Sequence, residues 1–198
     1  DLADTALHAL KLGVEVEFTK RHGHVRGGCL GVIGLGKFGG RELTPESDLD
    51  LVFVYDHDTD VESSDGEVPL PPGAYYARLS HRLISAITSL TPEGRLYDVD
   101  MRLRPSGSSG PIAAPIEGFA RYLHESAWTW EHMALTRARI IGTSGALKEQ
   151  LEQTIHQALT RKRDADSLVC DIANMRQKIA KEHPAPSHWD IKHRRGGL

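Results

Sequence analysis

Cysteine is almost missing: Cys29 and Cys170 are the two in 198 residues. Neither has a partner at metal-knuckle spacing, and two thiols cannot make a disulfide-dense scaffold. That usage fits a reducing cytoplasm, which is the expected location. No apolar run approaches the roughly 18 residues that a membrane span needs, and no secretory leader is visible. Internal repeats and long low-complexity tracts are also missing. Nor is there an excess of one charge. The 24 Lys and Arg against 27 Asp and Glu leave a formal net charge of −3, which offers nucleic acid or a membrane surface no bulk attraction. Hydrophobic residues make up 39% of the chain, enough for one sizeable core or two small subdomains. The chain starts at Asp1 rather than Met and stops at Gly196-Gly197-Leu198, so we read it as a piece of something longer.

What is present concentrates in residues 31–55. Residues 29–33 form a short apolar run ending at Gly34, the pattern of a buried strand. Gly34, Gly36, Gly39 and Gly40 follow, with Lys37 among them. Glycines let backbone approach a ligand closely, successive amides in such a turn form an anion nest, and Lys37 adds a point charge suited to phosphate. Residues 34–39 also match the dinucleotide fingerprint G-x-G-x-x-G. A dinucleotide fold, however, needs a crossover helix between parallel strands. Only residues 41–47 separate Gly40 from Asp48, and Pro45 is among them. Seven residues cannot supply that crossover, so antiparallel neighbours are expected instead.

The second strand is expected over residues 48–55. With a period of two, Asp48, Asp50, Val52 and Val54 share one face and Leu49, Leu51, Phe53 and Tyr55 the other. Two carboxylates therefore point the same way beside the glycine turn. Like charges so close repel, and a hard cation such as Mg²⁺, bridging carboxylate and phosphate oxygens, relieves them. An aspartate pair capping a strand in solvent is the bland alternative. Residues 95–105 alternate as well, with Tyr97, Val99, Met101 and Leu103 between Asp98, Asp100, Arg102 and Arg104. A strand with one buried face is expected there. Laid beside residues 48–55, it adds a third carboxylate, and Arg102 or Arg104 is placed to meet triphosphate oxygens. A surface strand with exposed cross-strand ion pairs fits the same pattern. The residues alone thus point to metal-dependent nucleotide transfer.

Gly36-Lys37, ten residues, then Asp48-Leu49-Asp50 resembles the DNA polymerase β-like nucleotidyltransferase pattern, with Lys37 where that superfamily often has serine. The longer string over residues 34–53, GxGKxGGxELxxxSDLDLxF, resembles the glutamine-synthetase adenylyltransferase family, and YDVDMRLRPSG at 97–107 resembles that family's third-carboxylate strand. The resemblance implies an α+β nucleotidyltransferase fold, a small mixed sheet bearing the acids and flanked by helices. It divides the chain into an N-terminal helix (1–28), a catalytic domain (29–142) and the start of a truncated helical domain (143–198). It implies Asp48, Asp50 and Asp100 as catalytic metal ligands, and Gly36, Lys37, Gly39, Gly40, Ser47, Arg102 and Arg104 as nucleotide-binding. The implied cofactor is Mg²⁺ or Mn²⁺ and the nucleotide is ATP. The implied protein substrate is glutamine synthetase, modified on a tyrosine hydroxyl, with a nitrogen-signalling regulator acting through the full-length enzyme. AWTWEHMALTRAR at 127–139 resembles the adenylylating half of the family. A deadenylylating domain and a non-catalytic nucleotide-binding module remain as alternatives.

The rest reads as scaffold. Leu2, Ala6, Leu10, Val14 and Phe18 are spaced for one helix face. Residues 56–67 are expected as a mobile acidic loop rather than a calcium site. Helices are expected over 73–90, from 117 through 139, and over 146–159 and 164–182. Pro111 confines residues 111–114 to an edge strand. Trp128 and Trp130 suggest a base-stacking platform, but at least one is expected in the core. His132 has no visible partner for a metal, and His183, His188 and His193 have no metal spacing.

Overall fold

The computed structural model describes residues 2–44 and 46–182. His183, His188, His193 and the segment from 183 to 198 lie outside the described residues. The first helix, α1 (Leu2–His22), buries Ala3, Leu7 and Phe18, with Leu10 and Val14 partly buried between them. Leu2 does not share that face and is exposed. A strict four-residue spacing drifts about 40° per step against a helix turn, so Leu2 and Phe18 cannot look the same way.

Strand β1 (Cys29–Gly34) leads into a single helical turn, α2 (Gly36–Gly39), and then β2 (Leu49–Asp56). β1 and β2 pair antiparallel in register from Cys29↔Asp56 to Gly34↔Leu51, without a crossover. Helix α3 (Pro72–Thr88) follows, then the two-residue strands β3 (Leu90–Thr91) and β4 (Gly94–Arg95), which form a small hairpin. Next come β5 (Val99–Asp100), β6 (Ala113–Pro115), α4 (Ile116–Glu125), α5 (Thr129–Leu135), β7 (Arg139–Ile141), α6 (Gly145–Thr160) and α7 (Ala165–Glu182). The main sheet runs β5-β2-β1-β7, with β6 also on β2. β7 joins antiparallel, and β5 and β6 join β2 parallel. This is a small mixed sheet flanked by helices, consistent with the nucleotidyltransferase fold implied by the sequence.

The sheet buries both faces. Leu49, Leu51, Phe53 and Tyr55 pack with α1 and α3, while Val52, Val54 and Ile33 pack with α4 and α6. The period-two reading of β2 therefore holds. Helix α6 contributes Leu147, Leu151, Ile155 and Ala158 to the second core, so the packed unit runs on past residue 143. No helix among the described residues is long and apolar enough to cross a membrane.

Three expectations need correction. The strand over 95–105 shrinks to β4 and β5, because the backbone turns after Asp100: Arg104 N donates to Met101 O at 3.2 Å and Gly107 N to Arg104 O at 2.8 Å. Tyr97, Val99 and Met101 pack on the first core, but Leu103 crosses to the second. Second, the acidic loop is not loose. Arg26 pairs with Asp58 and Asp60, His24 N donates to Asp65 at 2.6 Å, and Ser64 is buried, accepting from Leu70 N. Asp58 and Asp60 answer a single arginine, and Asp65 the backbone after α1. Third, the helix expected to run from 117 through 139 breaks at 126–128, and both tryptophans there are exposed, Trp128 at 70% and Trp130 at 41%.

Gly39 marks the closest backbone approach near α2: a Cβ there would lie 1.9 Å from Arg137 O and 2.6 Å from Gly34 O. Both atoms are backbone and cannot step aside cheaply. Gly13, exposed within α1, has nothing within 4 Å of the same position. Gly39→Ala should therefore lose about 1–3 kcal/mol, whereas Gly13→Ala should gain about 0.5–1 kcal/mol. Urea unfolding midpoints check the pair, and equal shifts would contradict the packing described.

Candidate active site

Asp48 stands just before β2 and Asp50 is its second residue. Val52 and Val54, next on the same face, are buried against α4 and α6. Asp48 is exposed and Asp50 half-buried, so both carboxylates sit where that face opens to solvent. β5 then places Asp100 directly opposite Asp50. Residues paired in register point to the same side of a sheet. One carboxylate oxygen from each of Asp48, Asp50 and Asp100 lies within 4.8 Å of the others. Asp98 is not in this group and instead pairs with Arg95. Among the described residues no other group of three metal-binding side chains comes together.

The glycine turn is fitted to this cluster. Leu35 N donates to Asp50 O at 2.9 Å, which staples the start of α2 to β2. Gly36 has φ +53°, and a Cβ on it would meet Asp50 Oδ2 at 2.1 Å. Only glycine accommodates both the left-handed conformation and that approach. Lys37 Nζ reaches toward Ser47 Oγ at 3.5 Å. Ser47 is buried and ties its own loop, accepting from Thr44 N at 3.0 Å and donating its amide to Thr44 O at 2.9 Å. Gly39 and Gly40 end the turn against the backbone and side chain of Arg137.

Of the two arginines singled out in the sequence, Arg102 is at the cluster. Its Nε donates to Asp100 Oδ2 at 2.7 Å, and its amide to Asp100 Oδ1 at 2.8 Å. This guanidinium holds the Asp100 carboxyl below the usual carboxylate range, and Asp100, with the fields of Asp48 and Asp50 added, raises Arg102 in turn. Arg104 is turned away to the loop that follows, donating to Met101 O, Ser108 O and Gly110 O. His132 is buried, with Nε2 2.9 Å from Leu123 O, and belongs to the α4–α5 packing.

Two arginines escaped the sequence reading. Arg139 donates to Phe38 O at 2.8 Å and Gly39 O at 3.2 Å, pairs with Asp4, and stacks on the Phe38 ring. Arg137 pairs with Glu42. Together they bind the carbonyl end of the glycine turn to β7 and α1. A separation of about a hundred residues hides this from local spacing, and only the β1–β7 pairing reveals it.

The donor set suits a hard divalent cation. Three carboxylates offer oxygen alone, which favours Mg²⁺ or Mn²⁺ over softer metals.

A family model described as glutamate-ammonia ligase adenylyltransferase matches residues 2–154. The chain belongs to the glutamate-ammonia ligase adenylyltransferase family. All 198 residues align with curated relatives named bifunctional glutamine synthetase adenylyltransferase/adenylyl-removing enzyme. Identity is 50% to the Mesorhizobium japonicum protein, 49% to that of Bradyrhizobium sp. strain ORS 278 and 48% to that of Brucella suis biovar 1. The chain spans about a fifth of the length of each, at 20%. The adenylyltransferase family is one of enzymes, nucleotidyltransferases by class.

In the metal-free protein, Arg102→Ala should raise the Asp100 pKa toward the ordinary carboxylate value, read by carboxyl carbon chemical shift against pH. The sign follows from linkage. A depressed native pKa contributes stability that is full above the unfolded value and is lost as pH falls through the native one. The variant should therefore lose less stability on acidification. An unchanged Asp100 titration would contradict the assigned cause.

Proposed function

We propose that this chain is a catalytic module that transfers AMP from ATP to a tyrosine hydroxyl of glutamine synthetase, releasing pyrophosphate. The observation that carries the reading is the meeting of Asp48, Asp50 and Asp100, from two strands, within 4.8 Å beside a fitted glycine turn. The bifunctional names of the relatives leave two directions of reaction. The resemblance of residues 127–139 to the adenylylating half supports transfer onto the protein.

Asp48, Asp50 and Asp100 would hold Mg²⁺ or Mn²⁺, which when bound neutralises triphosphate charge and aligns the phosphate oxygens. Lys37 and the amides around Gly36, Gly39 and Gly40 face the β- and γ-phosphates, and Ser47 sets the position of Lys37. Arg102 exchanges its ion pair for phosphate oxygen when nucleotide enters. Arg104 shapes the loop behind it. The tyrosine oxygen attacks the α-phosphorus. The bond from that phosphorus to the α–β bridging oxygen breaks, pyrophosphate leaves with the electron pair, and the hydroxyl proton passes to solvent. A tyrosine hydroxyl has a free pKa near ~10 and is a poor nucleophile at neutral pH. Asp100, held ionised, orients that hydroxyl, so catalysis is mostly positioning and charge compensation. A cytoplasmic setting, and control by a nitrogen-signalling regulator in the protein that carries this chain, belong to the same proposal.

Asp100→Asn should lower AMP transfer by about 10²-fold or more while ATP binding remains measurable, the scale of losing one electrostatic element of an active site. Incorporation of label from α-labelled ATP into unmodified glutamine synthetase reads it. Wild-type transfer by the variant refutes the role of Asp100. Phosphate-dependent removal of the adenylyl group from adenylylated glutamine synthetase, appearing as ADP and without forward transfer, reverses the assigned direction.

A further inference from the structure

Helix α7 has no buried residue along its 18-residue length. Its apolar stripe, Ile172, Met175 and Ile179, instead faces Trp128, Trp130 and Met133 across an open groove of about 730 Å³. The groove is built rather than loose. Buried Glu131 accepts from Trp128 N at 2.9 Å and from Tyr122 Oη at 2.6 Å, fixing the backbone at Trp128 where α5 begins. Thr129 Oγ1 donates to Asp171 Oδ2 at 2.6 Å, which sets the spacing of α5 and α7. Arg102, the residue that pairs with Asp100, also lines it. The groove and the carboxylate cluster therefore share a side chain.

Sheet order says which substrate this end of the site faces. The glycine turn lies between β1 and β2, against Asp50. Asp100 lies one strand further out, on the edge strand β5. Phosphates gathered by the turn approach from the β1–β2 side. The acceptor hydroxyl must come from the side of the α-phosphorus opposite the leaving pyrophosphate for in-line displacement, and Arg102, which pairs with Asp100, is the side chain by which the groove borders the cluster.

We propose that the α5–α7 groove seats the acceptor: a segment of the protein substrate that carries the reactive tyrosine with apolar neighbours. This rests on the function proposed above and adds where the acceptor binds. Tryptophan and methionine surfaces suit an aromatic ring and adjacent apolar side chains. Tryptophan and arginine are also the side chains that dominate protein recognition energetics. Arg102 and Lys178 on one hand, and Asp171 and Glu182 on the other, give the groove charges of both signs, as at a polar rim around an apolar centre.

Trp130→Ala and Ile179→Lys test the groove in the full chain, both at exposed positions where folding is not at stake. Binding of unmodified glutamine synthetase is measured directly by surface plasmon resonance, alongside the Kd for ATP. Each variant should weaken glutamine synthetase binding by about tenfold or more, the scale of removing an interface anchor, and leave ATP affinity unchanged. Where turnover is present, the KM for glutamine synthetase rises in step. Unchanged glutamine synthetase binding overturns the proposal. Loss of ATP affinity instead overturns it too, since the groove would then take the nucleotide base. The binding arm does not depend on turnover. A wild-type chain that binds glutamine synthetase through the groove yet transfers nothing supports the groove and refutes the proposed function.

Discussion

Three carboxylates held within 4.8 Å repel one another, and backbone pairing must keep them together against that force. The pairing is local and short. Two β2–β5 steps, Leu49↔Val99 and Asp50↔Asp100, with Leu49 N donating to Asp98 O at 2.9 Å, set the third acid against the first two. The strand that bears two of the acids is held far more firmly. β2 pairs with β1 along six residues and with β6 beyond Asp50, and its apolar side chains are buried on both faces. The repulsion is thus charged to the most secure element of the fold. Arg102 offsets part of it and keeps Asp100 ionised.

The surrounding layers serve the same end. α1 and α3 cover one face of the sheet, and α4 and α6 cover the other up to the point where Asp50 and Asp48 emerge. The glycine turn is fixed from both ends. Leu35 N bonds back to β2 at its start, and Arg139 gathers the carbonyls of Phe38 and Gly39 at its finish. Gly36 can touch the Asp50 carboxylate because neither end of the turn is free to drift. A site assembled on a rigid shell of this kind needs little reorganisation when charge moves during reaction.

Much of this was legible in residues 29–56. The length of the connection between Gly40 and Asp48 excluded a crossover helix, and the period of two sorted β2 correctly into two buried faces. Asp100 was reached by a less sound route. Apolar and polar residues alternate over 95–105, yet only Val99 and Asp100 pair with β2. The chain then rounds the sheet edge so that Leu103 can enter the opposite core, and an alternating sequence looks the same whether it runs along a sheet or wraps it. Trp128 and Trp130 misled for another reason. Bulk and apolarity argue for burial, but the buried acid Glu131 anchors the Trp128 backbone at the start of α5, and both rings stay outside. Arg139 gave no local signal, since its partners lie about a hundred residues away in sequence.

The account is tested most directly by where a divalent ion binds. Crystals of the chain soaked with ATP and Mn²⁺ should show anomalous density in contact with Asp48, Asp50 and Asp100 together, with the triphosphate lying along the Gly36–Gly40 turn. Manganese bound elsewhere, or nucleotide bound with no ion at the three acids, would contradict it.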